Sequence, residues 1–275
     1  MIIIINISVV AAVLTILYLF CLKPCTWRKN QMQPFEKVYI AHRGLFNNDG
    51  NSPENSRMAF RRAVAHGFGI ELDVRLTADN RMVVFHDDSL KRVCGVHKRV
   101  AECTYKELQQ YTLMNSAEKI PLFRDVLNDV AGKVPLIIEI KVKLKYADTV
   151  KKLAEIMQDY HGIYCIESFN PLAVAWYRRH HPKVLRGQLS TGYLVNESKR
   201  FTFIKETLFS NLLLNWYSKP DFIAYNHKHA GQLPYRICRK LYGVESVAWT
   251  IRSREELDTA KDIFQVFIFD SFIPK

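Results

Sequence analysis

Eight short β-rich runs alternate along this chain with longer helical patterns, and that alternation limits the possible folds more than any other feature. The runs are Val38–Ala41, Gly69–Leu76, Pro135–Val142, Tyr164–Phe169, Leu185–Ser190, Phe222–Tyr225, Ser246–Ile251 and Val266–Phe269. Most are continuously apolar, as strands covered by helices on one side and packed on the other must be. Ser56 is placed to cap a helix running to His66, with Met58, Phe60 and Ala63 inward and Gly67 ending it. Asp148 opens a second helix with Val150, Leu153, Ile156 and Met157 on one face, and a third starts at Ser253 or Arg254 and runs through Ala260. Eight βα units in about 240 residues predict one closed (β/α)8 barrel, a TIM barrel. A doubly wound open sheet is the competing architecture, but no Gly-rich dinucleotide loop follows any run. Asp79-Asn80, followed by Arg81–Phe85, predicts a hairpin that returns after the second run and carries His86 over the barrel mouth.

Three regions are expected. Residues 1–22 read as a transmembrane anchor: Ile2 to Leu22 contains no charged side chain, and about twenty apolar residues span a bilayer as a helix. A basic start and a small-residue cleavage site are lacking, which favours a retained anchor over a cleaved signal peptide. Lys23, Arg28 and Lys29 follow the stretch, so the positive-inside rule places the rest of the chain on the cytoplasmic side of a cell membrane, as a single-pass protein. Residues 23–35, with two prolines and many polar residues, read as a linker, and 36–275 as the barrel domain. The six cysteines lack zinc or disulfide-framework spacing and fit buried free thiols in a reducing compartment. The net charge of +12 fits a basic coat or a surface near anionic headgroups. No basic run interleaved with aromatics is present, so nucleic acid is not an expected partner.

Chemistry concentrates at the strand ends. The first run leads into His42-Arg43-Gly44; the second carries Glu71 and Asp73; the third carries Glu139 and Lys141; the hairpin ends in His86-Asp87. Residues two apart share one face of a strand. Ile70, Leu72 and Val74 then face the helices, and both carboxylates point into the barrel. Inward residues at the C-terminal strand ends form the active site of such barrels. Three converging carboxylates repel one another unless a hard divalent ion, Mg²⁺ or Ca²⁺, binds them or one is protonated. Two imidazoles near neutral pKa can move protons, and Arg43 and Lys141 can hold an anion. The combination predicts metal-assisted cleavage of a phosphodiester. His227-Lys228-His229 reads as an exposed loop, and the aromatic residues of 201–225 as helix packing with membrane contact from Phe201 to Trp216.

The motifs also carry a resemblance. Ala41-His42-Arg43-Gly44, Pro53-Glu54-Asn55-Ser56 with Ala59-Phe60, Ile70–Val74 with Thr77 and Asp79, Val84–Asp88 with Leu90 and Arg92, Ile120-Pro121-Leu122 and Ile138–Lys141 are similar to those of the glycerophosphodiester phosphodiesterases. The likeness is specific over 38–142 and looser to 275, where Glu167-Ser168-Phe169 and Ala248-Trp249-Thr250 still match. The resemblance implies a TIM barrel that hydrolyses glycerophosphodiesters to glycerol 3-phosphate and an alcohol, in lipid metabolism. It implies Glu71, Asp73 and Glu139 as metal ligands, His42 as general base, His86 as general acid, Arg43 and Lys141 on the phosphate, and Trp249 against the glycerol. It further implies attack by the neighbouring glycerol hydroxyl, through a cyclic phosphate that water opens. Two departures, Arg252 after Trp249-Thr250-Ile251 and Phe269 before Asp270, fall on the substrate side, where Phe269 is expected to narrow or wall the pocket. A phospholipase-type enzyme of the same superfamily acting on lysophospholipid is the competing function. A catalytically dead, membrane-tethered binding module would need a broken residue set, and this set is whole.

Overall fold

The computed structural model describes residues 2–142, 146–192 and 211–274, with side chains from residue 7 onward. Nine strands are described: β1 (Ile40–His42), β2 (Gly69–Leu76), β3 (Met82–Val84), β4 (Leu136–Ile140), β5 (Tyr164–Ser168), β6 (Leu185–Ser190), β7 (Phe222–Asn226), β8 (Glu245–Ile251) and β9 (Val266–Phe269). β1 pairs in parallel with both β2 and β9. The ladder therefore closes through β1, β2 and β4 to β9, eight parallel strands in one barrel. β3 lies outside that ring, antiparallel on β2 with Leu76 opposite Met82, the hairpin the sequence predicts. Asn80 turns it with φ of 56°, a conformation that asparagine tolerates.

The period of two holds along the strands. Ile70, Leu72 and Val74 are fully buried against the helical layer. The barrel interior is a separate cluster of Ile40, Ile137, Cys165, Leu185, Phe222 and their neighbours. A third cluster, around Val83, Phe85 and Leu90, holds the segment that follows the hairpin. Ser56 caps the helix Arg57–Ala65, its Oγ accepting from the Ala59 amide at 3.1 Å, and Gly67 follows at φ of 70°. The inward face is Ala59, Phe60 and Ala63; Met58 is 38% exposed, against expectation. Met58 stands in the first turn, where its amide donates to Glu118, and its position falls beside the stripe of Ala59, Phe60 and Ala63. Val150, Leu153, Ile156 and Met157 are buried on the helix Ala147–Met157 as predicted. Ser253 proves to be the cap and Arg254 the first helical residue. Cys25, Cys103, Cys165 and Cys238 are buried free thiols, while Cys21 and Cys94 are partly exposed.

Apolar side chains of the segment expected to be a linker pack against the barrel. Cys25, Met32 and Phe35 are 0–1% exposed, and Met32 and Phe35 close the interior cluster at the N-terminal end of the strands. Arg28 fixes the segment from outside, donating to the Pro182 carbonyl at 2.7 Å and to Asp221 at 3.2 Å. A polar composition concealed this role, because the few apolar residues have no helical or strand period.

Ile2–Leu22 is one helix. Its last turn docks on the barrel: Tyr242 donates to the Leu19 carbonyl at 2.7 Å, Asn215 to that of Leu22 at 3.1 Å, and Leu22 is fully buried. Among the described residues no helix is long and apolar enough to cross a membrane, so the expected transmembrane helix is not carried by them. The aromatic stretch expected at Phe201 to Trp216 lies outside the described residues up to 210. Trp216 is described: it packs on Phe20 with ring centroids 6.0 Å apart.

Candidate active site

The C-terminal ends of the strands meet in a cavity of about 140 Å³ lined by His42, Arg43, Glu71, His86, Glu139, Lys141, Glu167, Trp249 and Arg252 among others. Seven of the eight residues predicted from sequence line it, and the eighth, Asp73, sits directly behind and is 1% exposed. The β2–β4 register explains the convergence, since Asp73 is level with Glu139.

Glu71, Asp73 and Glu139 each offer a carboxylate oxygen within 4.8 Å of the others, and all three are buried. Burial, together with Asp73, Glu139 and Glu167, pushes the Glu71 pKa well up. Burial raises Glu139 as well. Asp73 goes the other way: burial opposes its charge, but Lys141 and Arg43 hold it well below the usual carboxylate range. An all-oxygen, buried and mutually repelling set is the donor chemistry of a hard divalent ion, and this group could hold one.

Lys141 Nζ lies 2.8 Å from Glu139 Oε2 and 3.1 Å from Asp73 Oδ1. Burial disfavours its charge, but Asp73 and Glu139 raise its pKa, so it stays a cation. Arg43 adopts φ of 56°, which brings its amide to Glu71 Oε2 at 3.0 Å and its Nη1 to Glu54 Oε1 at 2.7 Å. Gly44 follows at φ of 82°, where a Cβ would come within 2.9 Å of the Ala59 backbone, so the turn accepts only glycine.

The two histidines are held alike. His42 Nδ1 lies 2.8 Å from Asp270 Oδ2, leaving Nε2 on the side of Glu71, 4.0 Å from Oε2. His86 Nδ1 lies 2.5 Å from Asp87 Oδ1, and Arg75 donates twice to the His86 carbonyl, at 2.7 and 3.0 Å. The hairpin thus places His86 as predicted. Burial lowers the pKa of both imidazoles, that of His86 to about 4, against the opposing pull of Asp270 on one and of Asp73 and Asp87 on the other.

Several residues that support this centre had no role assigned from sequence. Asp270 orients His42 and takes Arg252 Nε at 3.1 Å. Glu54 bridges Arg43 to Arg92, which donates to its two oxygens at 2.7 Å each. Asn55 donates to Asp73 at 2.8 Å. Glu54 and Asn55 belong to Pro53-Glu54-Asn55-Ser56, a motif visible in the sequence without its partners. Phe269 was expected to wall the pocket; instead it packs outward on Phe68, with centroids 5.0 Å apart, because Ile268 and Asp270 take the inward positions. Trp249 does line the cavity, edge-on to Phe169 at 5.7 Å. His227–His229 forms a 3-10 turn with His227 3.6 Å from Glu256, remote in role from the carboxylate group.

The closed barrel with its acid/base and carboxylate mouth defines a class, and comparison with known proteins narrows it. The chain belongs to the glycerophosphoryl diester phosphodiesterase family, whose model matches residues 42–266. It is 36% identical over 131 residues to a glycerophosphodiester phosphodiesterase of Bacillus altitudinis, covering 44% of this chain and 52% of that one. It is 30% identical over 151 residues to a lysophospholipase D of Homo sapiens, covering 50% and 46%. A phosphodiesterase of Oleispira antarctica, solved in complex with the product sn-glycerol-3-phosphate, shares the fold with a TM-score of 0.69 at 20% identity, over 85% of this chain and 92% of that one. The chain spans about half the length of these two curated relatives.

Proposed function

We propose that this protein is a metal-dependent phosphoric diester hydrolase that converts glycerophosphodiesters to glycerol 3-phosphate and an alcohol, within lipid metabolism. The observation that carries this reading is the meeting of His42, His86 and the Glu71–Asp73–Glu139 group at one barrel mouth. Mg²⁺ or Ca²⁺ on those three carboxylates would supply positive charge for the phosphoryl oxygens as negative charge builds up.

The chain's own residues do the rest. Arg43 and Lys141 line the cavity as cations and draw the phosphodiester to its mouth. His42 takes the proton of the attacking glycerol hydroxyl at Nε2, and the resulting imidazolium rests on Asp270 through Nδ1. The oxygen attacks phosphorus, the bond to the alcohol breaks, and His86 gives the departing oxygen a proton. With its pKa near 4, His86 is neutral in the free protein at pH 7; a bound phosphodiester anion raises that value, and Asp87 supports the charged form. Water then opens the cyclic phosphate with the two imidazoles in exchanged roles.

The test is hydrolysis of glycerophosphocholine and glycerophosphoethanolamine with Mg²⁺ or Ca²⁺, with and without chelator. Release of glycerol 3-phosphate that chelation stops supports the reading; no release from any headgroup variant overturns it. Turnover of lysophospholipid is the second reading, favoured by the human lysophospholipase D relative, and a side-by-side rate comparison separates the two.

We further infer a membrane tether by Ile2–Leu22 with the barrel on the cytoplasmic side. The uncharged helix, the basic residues after it and its exposed apolar side chains, such as Ile16 at 67%, support this placement. Carbonate extraction of membranes tests it: release of the full chain into the supernatant would remove the tether.

A further inference from the structure

The helix Ile2–Leu22 leaves the barrel at one definite end, and that end carries surface chemistry that catalysis does not use. Barrel side chains grip the exit. Tyr242 donates to the Leu19 carbonyl at 2.7 Å, Asn215 to that of Leu22 at 3.1 Å and Lys219 to that of Lys23 at 2.9 Å. The Cys25 amide donates to the Pro220 carbonyl at 2.9 Å. Lys219-Pro220 leads into β7 and Tyr242 into β8, so the exit lies at the N-terminal end of the strands, opposite the catalytic mouth. Every side chain from Ile7 to Leu17 is exposed, so the helix departs from the barrel instead of lying along it.

Large apolar side chains stand exposed around the exit: Trp27 at 79%, Leu241 at 60% and Trp216 at 41%. Trp216 continues the apolar surface of the helix through its contact with Phe20. Cations crowd the same place. Burial, then the charges of Lys23 and Arg178, lower the Lys219 pKa. Arg178 and Lys219 donate to the backbone carbonyls of Tyr217 and Lys23, and among the described residues none of the three cations pairs with a carboxylate. Asp221, the carboxylate two residues on from Lys219, is taken by Arg28 and Arg186. A helix dipole accounts for a basic last turn such as that of Pro171–His180, which holds Arg178, but Lys23 and Lys219 lie outside such a turn. Uncompensated cations interleaved with tryptophan, around the base of an uncharged helix, match the headgroup layer of an anionic bilayer.

Building on the tether proposed above, we propose that this end of the barrel is a docking face for an anionic bilayer. Lys23, Arg178 and Lys219 meet the acidic headgroups, and Trp27, Trp216 and Leu241 enter the interface. Because the helix exit is bonded to the barrel, the orientation is fixed, and the catalytic mouth opens on the side away from the membrane.

Full-length protein in vesicles of phosphatidylcholine, alone or with about a third phosphatidylglycerol, tests this. Lipid brominated near the headgroup should quench tryptophan emission about twofold more in the anionic vesicles, and Trp27→Phe with Trp216→Phe should remove that increment. Lys23→Gln with Arg178→Gln and Lys219→Gln should reduce quenching to the neutral-vesicle level; if that variant fails to fold, raised salt should do the same to the wild type. Orientation is read by energy transfer to a lipid-bound acceptor from a dye on Asp262→Cys, before β9 at the docking end, or on Ala78→Cys, in the hairpin turn beyond the mouth, with Cys21→Ser and Cys94→Ser in both. The strands hold these positions about 20 Å apart, so transfer from the first should be about twofold stronger or more. Equal transfer, stronger transfer from Ala78→Cys, or quenching indifferent to phosphatidylglycerol overturns the proposal. Protein that fails to float with either vesicle overturns the tether reading itself, a result distinguishable from these.

Discussion

His42, ending the first strand of the barrel, and Asp270, directly after the last, stand 228 residues apart in sequence and 2.8 Å apart in space. The contact exists only because β1 and β9 pair and close the ring. It fixes which imidazole nitrogen faces the cavity, since Nδ1 is engaged and Nε2 is turned toward Glu71.

Asp270→Asn should therefore impair chemistry more than binding. The general base stays in place but loses its orienting carboxylate and the partner of its charged form. A fall in kcat of about 10²-fold with KM within about threefold is expected. The pH profile supplies the independent readout. Asp270 raises the His42 pKa against the lowering effect of burial, so its removal lowers that pKa further. The acid limb of the rate profile should move to lower pH in the variant. An unchanged limb with a normal kcat would show that the pair has no catalytic role.

How much of this was legible in the sequence depends on the range of each interaction. Glu71 and Asp73, or Glu139 and Lys141, are two residues apart, and the strand period alone places them on one face. The eight apolar runs gave the barrel for the same reason. Asp270 was visible as a residue but not as a partner, because its role depends on ring closure. Glu54 sits in a loop whose path follows no period, and of its two arginines one lies 11 residues before it and the other 38 residues after. Met32 and Phe35 looked like linker residues because the surface they cover is made by strands that come later in the chain.

Metal binding should change stability with a pH dependence of known sign. Glu71 and Glu139 have raised pKa values in the metal-free fold, so between their unfolded and folded values the native state binds more protons than the unfolded chain. Stability from these groups is then lost as pH rises above about 4.5 toward the folded values. Asp73, whose pKa is lowered, contributes stability that is lost only as pH falls below its unfolded value. The metal-free protein should thus lose Tm on going from pH 5 to pH 8, and Mg²⁺ or Ca²⁺ at about 100 times Kd should restore about 2.7 kcal/mol at the upper end. Differential scanning calorimetry with and without chelator reads this. Glu71→Gln should raise the metal-free Tm at pH 8 and abolish the response to metal; a Tm that ignores metal in the wild type would remove the centre.

Glu54 joins Arg43 and Arg92 by hydrogen bonds of 2.7 Å and is 4% exposed. Glu54→Gln removes the charge that compensates a largely buried guanidinium on the substrate side. A loss of about 3 kcal/mol in urea unfolding is expected, the lower end for breaking a buried pair because the Arg92 side chain is 44% exposed. Burial opposes the Glu54 charge, yet Arg92 and Arg43 hold its pKa down. The stabilisation it gives is therefore present above its unfolded pKa and fades as pH falls through the lower folded value. The variant and the wild type should converge in stability at acid pH. Arg43, no longer held, should raise KM for the diester as well. Equal stability at pH 7 would mean that water solvates Arg43 as well as Glu54 does.

Phe35→Ala tests whether the segment before the barrel is structural. Phe35 is 1% exposed and belongs to the interior cluster with Ile40, Ile137, Phe222 and Val266, at the end of the barrel away from the catalytic cavity. Removing the ring leaves a cavity among side chains already fixed by eight strands, so the surroundings cannot collapse into it. The expected cost is about 3–5 kcal/mol in urea unfolding. Metal-dependent turnover at a temperature where the variant is folded should stay within about twofold, because the strand ends that carry His42, Glu71 and Glu139 are held by their own ladder and by Lys141, Asn55 and Arg43. A destabilisation under about 1 kcal/mol would mean that residues 23–35 cover the barrel without sealing it. A large loss of turnover with little loss of stability would mean that the seal at one end of the barrel sets the geometry of the site at the other.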